Sequence, residues 1–245
     1  MLLSCEHGGN RVPARYAALF GNAREALRSH RGWDPGALDL ARGLEARLQA
    51  PLLFATVTRL LVELNRSPWH PALFSEFTRD LPATDRERLL ARYYRPYRES
   101  LAALVAETIG RAGRAVHVSV HTFAPVLDGV ERMADVGLLY DPQRPGERTF
   151  CDAWLRALRV LRPDLRLRRN YPYLGRSDGL TTHLRKQWPQ ESYSGIELEV
   201  NQRWPLARGP EWPRLKEEIG ESLAEAIKGA TAVSPVRSGR RIEHG

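Results

Sequence analysis

The sequence predicts an α/β domain with a largely parallel or mixed sheet. Short apolar runs alternate with longer amphipathic stretches along the 245 residues, the order expected of strand–helix units. Hydrophobic residues make up 42% and charged residues 27%, which suits a globular core and excludes wholesale disorder. The length fits one substantial domain, and there is no internal repeat or low-complexity block. One domain over residues 1–230 is expected, followed by a disordered tail at 231–245.

Taken in order, residues 1–6 read as a short strand stopped by Gly8 and Gly9. A helical turn is expected at 24–29. Asp34 before Pro35 reads as an N-cap with proline at the first helical position, opening a helix to about Leu48. Strands are expected at 51–57 and 59–64, both rich in Leu and Val. A loop rich in proline and aromatics then spans 67–82. Thr84 and Glu87 have capping-box spacing and open a long amphipathic helix to about Ile109, with Pro96 as the place for a kink. Over 114–120, Ala115, His117 and Ser119 alternate with Val116, Val118 and Val120, a strand pattern. Further strands are expected at 136–140, 165–168 and 195–200. Helices are expected at 145–161, 180–187 and 211–228. Glu197 and Glu199 share one face of their strand.

Composition narrows the function classes. The formal charge is +8, but all but three of the 37 basic residues are arginines scattered along the chain. No P-loop, zinc-finger or RNA-recognition signature accompanies them, so a nucleic-acid partner is not expected. The charge suits a small carboxylate as well as a phosphate. No apolar run approaches the ~20 residues that span a bilayer, and Glu6 and His7 come too early for a signal peptide. Cys5 and Cys151 make neither a disulfide framework nor a cysteine zinc site. A cytoplasmic protein without a membrane partner is expected; the sequence sets no oligomeric state.

In open α/β sheets ligands collect past the carboxyl ends of strands. Four places there carry chemistry: His7, Asn65 with Arg66, His121, and Glu199. Two histidines and a carboxylate suit a metal with an open position for water. An arginine beside an asparagine suits a carboxylate clamp, and a second glutamate suits a general base. Against this, a histidine after a strand is often a loop-stabilising hydrogen-bonder, and no HExxH, HxxE or HxH motif is present.

The runs SCEHGGNRVP (4–13), RGWDPGALDLA (31–41), TRLLVELNR (58–66), HVSVHTFAPVLDG (117–129), DVGLLYDPQR (135–144) and GIELEVNQ (195–202) resemble, in this order, the N-formylglutamate amidohydrolase family. The resemblance implies a zinc-dependent hydrolase with a three-layer α/β/α fold like that of the zinc carboxypeptidases and aspartoacylases. It implies His7 and His121 as ligands of one zinc ion and Glu199 as the base. It further implies Arg59 as an oxyanion stabiliser, and Asn65 and Arg66 as binders of a substrate carboxylate. The expected substrate is an anionic N-acyl amino acid, foremost N-formyl-L-glutamate.

One departure stands out. Where the aspartoacylase pattern carries a ligating glutamate three residues after the first histidine, this chain has Asn10, whose uncharged amide is a poor zinc ligand. Asp34 is the candidate third ligand, because the family motif keeps an acidic residue there. Glu6 is less favoured, since it would point away from His7 on a regular strand.

Several alternatives stay open at this point. Asp34 serves equally as a helix cap. Glu197 competes with Glu199 as base, or orients a ligand or an arginine. His117 reads as a core residue or a support for His121, and Cys5 as inert packing rather than a nucleophile. His30, His70 and His183 read as surface or loop residues. Arg176 or Arg185, in the glycine-rich run 175–185, is expected to hold a second substrate carboxylate. Competing functions are the same hydrolysis on another acyl amino acid or peptide, a non-catalytic binding relic of the fold, and a basic nucleic-acid module.

Overall fold

The protein is described by a computed structural model covering residues 1–207 and 209–232. In chain order its elements begin with β1 (Leu2–Cys5), α1 (Arg24–Arg28), α2 (Ala37–Leu48) and β2 (Leu52–Phe54). They continue through α3 (Ala83–Leu89), α4 (Arg95–Ala112), β3 (Ala115–Phe123), β4 (Val126–Leu127), β5 (Val130–Glu131) and β6 (Val136–Leu139). The last are α5 (Pro145–Leu161), β7 (Leu167–Arg169), α6 (Leu180–Arg185), β8 (Tyr193–Asn201), α7 (Arg203–Leu206) and α8 (Glu211–Ala232). The expected tail therefore starts inside α8, and its part from 233 on lies outside the described residues.

Six strands form one sheet in the order β2-β1-β3-β8-β6-β7. The first four are parallel, while β6 runs antiparallel to β8 and carries β7 parallel to itself. The sheet is thus mixed, as the sequence predicts. Alternation along each strand divides the two faces. Leu3, Cys5, Val118, Val120, Ile196, Leu198 and Val200 pack with α2, α5 and α8 around Leu44, Trp154 and Leu215. Leu2, Ala115 and Tyr193 face the opposite layer, with Tyr97 and Leu101 of α4 and Leu184 of α6. The polar residues of β3 and β8 (His117, Ser119, His121, Glu197, Glu199) have the parity of this second face. They turn it polar towards the carboxyl ends of the strands.

Three expectations need correction. Residues 59–64 are not a strand but a run of turns. Leu60 and Leu61 pack with Phe20 and Leu89, whereas Val62 and Leu64 pack with Leu2 and Tyr94. One apolar run thus serves two clusters, and a straight strand cannot do so. The expected long helix is broken. It begins after Pro82 with no side-chain cap, so Thr84 caps nothing. A π-helical turn, Leu90–Tyr94, then precedes Pro96 in the first turn of α4. The wider turn absorbs the missing proline N–H. Finally, α2 starts after Gly36, whose φ of 84° no other residue adopts easily. Asp34 makes no side-chain cap there, so its carboxylate is free for other work. The β4–β5 hairpin is an element that the sequence pattern does not predict; Asp128 and Gly129, with φ of 51° and 77°, form its turn.

Candidate metal centre and active site

β1 ends at Cys5, and the following turn carries His7 back over the second face of the sheet. The main chain pins it there, since the Asp34 N–H donates to the His7 carbonyl at 2.9 Å. His121 rises from β3 and Asp34 from the loop before α2. Asp34 Oδ2 lies 3.2 Å from His7 Nδ1 and 3.0 Å from His121 Nδ1. The three buried side chains offer ligand atoms all within 4.8 Å of one another, a possible metal site.

The far side of each imidazole meets a carboxylate. His7 Nε2 is 2.5 Å from Glu63 Oε1, and His121 Nε2 is 3.1 Å from Glu6 Oε2 and 2.8 Å from Ser119 Oγ. Such partners fix the ring and its tautomer, leaving Nδ1 to point at the centre. Glu6 is held in turn by Ser119 Oγ at 2.6 Å and the Tyr97 hydroxyl at 2.9 Å. Glu63 accepts from Arg59 Nε at 2.6 Å and from the Asn65 N–H at 2.9 Å. The terminal nitrogens of Arg59 reach Glu63 Oε2 at 2.5 Å and Asp34 Oδ1 at 3.3 Å.

Charge at this centre is strongly coupled. Burial alone would neutralise the carboxyls of Glu6, Asp34 and Glu63. Their cationic neighbours (His121 for Glu6, His7 and His121 for Asp34, Arg59 and His7 for Glu63) outweigh it and hold all three well below the usual carboxylate range. Burial likewise opposes imidazolium. Asp34 and Glu6 nevertheless push His121 well above the histidine range, and Glu63 and Asp34 raise His7 against both burial and Arg59. With both imidazoles neutral, as metal ligation requires, three carboxylates against one arginine leave the centre negative, and a cation can take the place of the imidazole protons. Two imidazole nitrogens and one carboxylate oxygen are also the donor set of an open zinc site.

Glu199 completes this wall. Its Oε2 is buried without a hydrogen-bond partner, and burial, with Asp34 and Glu197 adding, pushes its pKa to about 8. Glu197, on the same face, is engaged: its Oε1 accepts from Thr181 Oγ1 at 2.7 Å. The neighbouring strand gives way at Gly137, the register partner of Glu199. A Cβ at Gly137 would stand 1.9 Å from the Tyr171 carbonyl, so glycine lets the 171–179 segment close over the sheet.

The resulting cavity, about 270 Å³, is lined by His7, Asp34, Arg59, Asn65, Arg66, His121, Glu197 and Glu199 among others. It thus gathers most of the residues expected from sequence. Asn65 Oδ1 accepts from the Leu180 N–H at 2.7 Å, which leaves its Nδ2 hydrogens to donate. Arg66 donates to the Asp178 carbonyl at 2.6 Å.

Other expected residues lie elsewhere. Arg176 is exposed and does not line the cavity. Arg185 is buried and spent on the scaffold, donating to Glu147 at 3.0 Å and to the Gly175 and Gly195 carbonyls at 2.5 and 2.6 Å. Asn10 donates to the Leu27 carbonyl at 2.9 Å, away from the centre. Glu6 is buried behind His121 rather than grouped with the three. His117 is a core residue between Ser4 and Tyr193, its pKa pushed down to about 4 by burial. Burial also pushes the Cys5 thiol well up, so it is inert packing.

Sequence reasoning missed Glu63, His30, Arg132 and Tyr173. A single glutamate inside the apolar run LLVEL was the signal for Glu63, because a buried carboxylate needs a partner. His30 sits in a loop as expected but lines the cavity. Burial and then Arg59, Arg132 and Arg31 lower its pKa, with Asp34 opposing.

The family this chain matches makes it a hydrolase of the amidohydrolase kind. The N-formylglutamate amidohydrolase family profile matches residues 1–204, and the chain belongs to that family. Among solved structures, a gene product of Agrobacterium tumefaciens superposes with a TM-score of 0.81 at 27% identity, covering 94% of this chain and 91% of its own. An N-formylglutamate amidohydrolase from Ralstonia eutropha JMP134 shares the fold with a TM-score of 0.66 at 21% identity, covering 94% of each chain. No curated protein matches the sequence significantly. Among the described residues no helix is long and apolar enough to cross a membrane.

Proposed function

We propose that the chain is a cytoplasmic zinc-dependent amidohydrolase, with residues 1–230 as one hydrolase domain. It cleaves the C–N amide bond of N-formyl-L-glutamate to formate and L-glutamate. The reading rests on the meeting of His7, Asp34 and His121 at one point of a cavity whose wall also carries the unpartnered Glu199 carboxyl. His7, Asp34 and His121 would hold the ion, which when bound supplies a Lewis acid for the formyl carbonyl and for water.

The remaining chemistry belongs to side chains. Glu199 Oε2 takes the proton of the attacking water and passes it to the departing amine nitrogen. Burial raises its pKa to about 8 with His121 opposing, which brings the carboxyl near neutral pH, the range where it both accepts and returns a proton. Arg59 keeps Asp34 and Glu63 in place and has two N–H groups left over, enough to meet a developing oxyanion. Asn65 and Arg66 bind the α-carboxylate of the amino acid. Glu63 and Glu6 orient the two imidazoles.

A second reading, the same hydrolysis of a longer acyl amino acid or a peptide, is favoured by a neighbouring recess. That recess, about 570 Å³, shares His30, Arg59 and Tyr173 with the cavity. One experiment tests both: metal analysis of the purified protein, with formate or acid release measured over a panel of N-acyl amino acids and peptides. Bound zinc and release of formate from N-formyl-L-glutamate are expected. Turnover confined to longer substrates favours the second reading, and a metal-free protein that turns over nothing overturns both.

A further inference from the structure

Three arginines line the cavity: Arg59, Arg66 and Arg132. Arg59 is ion-paired to Glu63 and Asp34. Neither Arg66 nor Arg132 has a carboxylate at ion-pairing distance among the described residues. They come from different parts of the fold, Arg66 from the connection between β2 and α3 and Arg132 from the residue after β5. A monoanionic amino acid needs only one guanidinium. Two guanidiniums without an ion-pair partner, reaching one cavity of about 270 Å³ from different parts of the fold, can meet two carboxylates of a single ligand.

Arg132 is built to hold one of them. Its guanidinium lies over the Tyr173 ring, 5.1 Å from the centroid, and donates to the Tyr173 hydroxyl at 3.1 Å. That hydroxyl therefore keeps its own hydrogen for another acceptor. The main chain of Arg132 is anchored at both ends, its N–H donating to the Pro125 carbonyl at 2.7 Å and its carbonyl accepting from Asn201 Nδ2 at 2.9 Å. A stacked, backbone-anchored guanidinium loses little freedom on binding. With the tyrosine hydroxyl beside it, it presents several donors to one carboxylate.

We propose that Arg132, held against Tyr173, recognises the second carboxylate of a dicarboxylic N-acyl amino acid and so determines specificity. The inference rests on the amide-hydrolysis reading for its substrate. It replaces Arg176 and Arg185 as the holder of that charge. Arg66 and Asn65 take the α-carboxylate, and Arg132 reads the end of the side chain.

The test uses the metal-loaded full chain with N-formyl-L-glutamate and N-formyl-L-glutamine, which differ only in the terminal carboxylate. Calorimetric binding of L-glutamate and L-glutamine is measured alongside. The wild type should favour the glutamate form. Arg132→Gln should lose roughly 10- to 100-fold in kcat/KM on that form, mostly in KM, as for a lost charge-assisted contact, and far less on the glutamine form. Arg132→Lys should fall between, since it keeps the charge without the fork. Melting temperatures report folding, and Arg132 carries no ion pair whose loss would lower them. If the wild type turns over both substrates equally, or Arg132→Gln keeps the preference, the inference is overturned while the hydrolase reading stands. If nothing is hydrolysed but glutamate binds selectively and Arg132→Gln abolishes the selectivity, the hydrolase reading fails and the dicarboxylate site stands. Absence of both turnover and selective binding overturns the inference.

Discussion

His121 and Glu199 are register partners on the parallel strands β3 and β8, so both side chains leave the sheet on one face from the same rung. A candidate metal ligand and a candidate base are thereby held at a separation set by backbone hydrogen bonding rather than by loops. Ser119 and Glu197 repeat the relationship one step earlier and supply the supports: Ser119 to His121, Glu197 to Thr181.

This pairing separates the two glutamates. Glu199→Gln, measured at full metal occupancy, should lower kcat by ~10²-fold or more, the scale of general-base loss. Glu197→Gln should act mildly, because its Oε1 is occupied by Thr181. A dead Glu197→Gln beside a nearly normal Glu199→Gln would exchange the roles.

The metal ligands can be graded by affinity. Asp34→Asn should weaken zinc binding far more than Asn10→Ala, whose side chain reaches only the Leu27 carbonyl. Glu63→Gln leaves the three ligands intact but loosens His7, and should cost ~10- to 100-fold in affinity. Equilibrium competition with a chelator reads all three. Equal affinities for Asp34→Asn and Asn10→Ala would remove Asp34 from the site.

What the sequence made legible follows from where information is local. Helix α5 begins at Pro145 and ends at Leu161 as expected, because a proline start and a helical apolar period are local signals. The alternation in β3 and β8 put His121 and Glu199 on definite faces, and the structure joins those faces. Asp34 was ambiguous because its cap role and its ligand role use the same residue type. Only the left-handed Gly36, a tertiary fact, separates them. The run at 59–64 misleads for a related reason: Leu and Val at four of its six positions fit a strand or a buried turn equally well. Its Glu63 turns inward because His7 and Arg59 meet it there. Arg185 carried no sign that Glu147, distant in sequence, would claim it.

Arg185 yields a test of stability rather than of binding. Arg185→Leu strips the buried Glu147 of its closest cation, leaving the N–H groups of Asp141 and Gly195 and the more distant Arg144, at 3.9 Å, as partners. Breaking one side of a buried pair costs ~3–5 kcal/mol, so the urea midpoint should fall steeply with KM little changed in the folded fraction. A raised KM at unaltered stability would return Arg185 to the substrate site.

The metal-free protein should show an unusual dependence of stability on pH, and Glu199 is its most distinctive cause. Its carboxyl is raised from 4.5 to about 8, chiefly by burial, with Asp34 and Glu197 adding and His121 opposing. Between those two values the native state keeps a proton that the unfolded chain has released. Stability therefore falls as pH rises through this window, by up to ~1.4 kcal/mol per pH unit for a full proton. His121, raised well above its ordinary 6.5, acts in the same direction: its contribution is complete below 6.5 and is lost as pH climbs through the folded value. Asp34, Glu6 and Glu63 act oppositely, because their depressed carboxyls stabilise above their ordinary range and lose that contribution as the solution becomes acidic. The metal-free chain should thus be most stable in mildly acid solution. Glu199→Gln removes the first slope without touching the others, so the variant should be flatter between about pH 4.5 and 6.5 and more stable than the wild type near pH 8. Urea midpoints of both proteins in chelator across this range give the comparison. Parallel curves would mean that Glu199 is ionised in the native state at neutral pH, and that its burial does not set its charge.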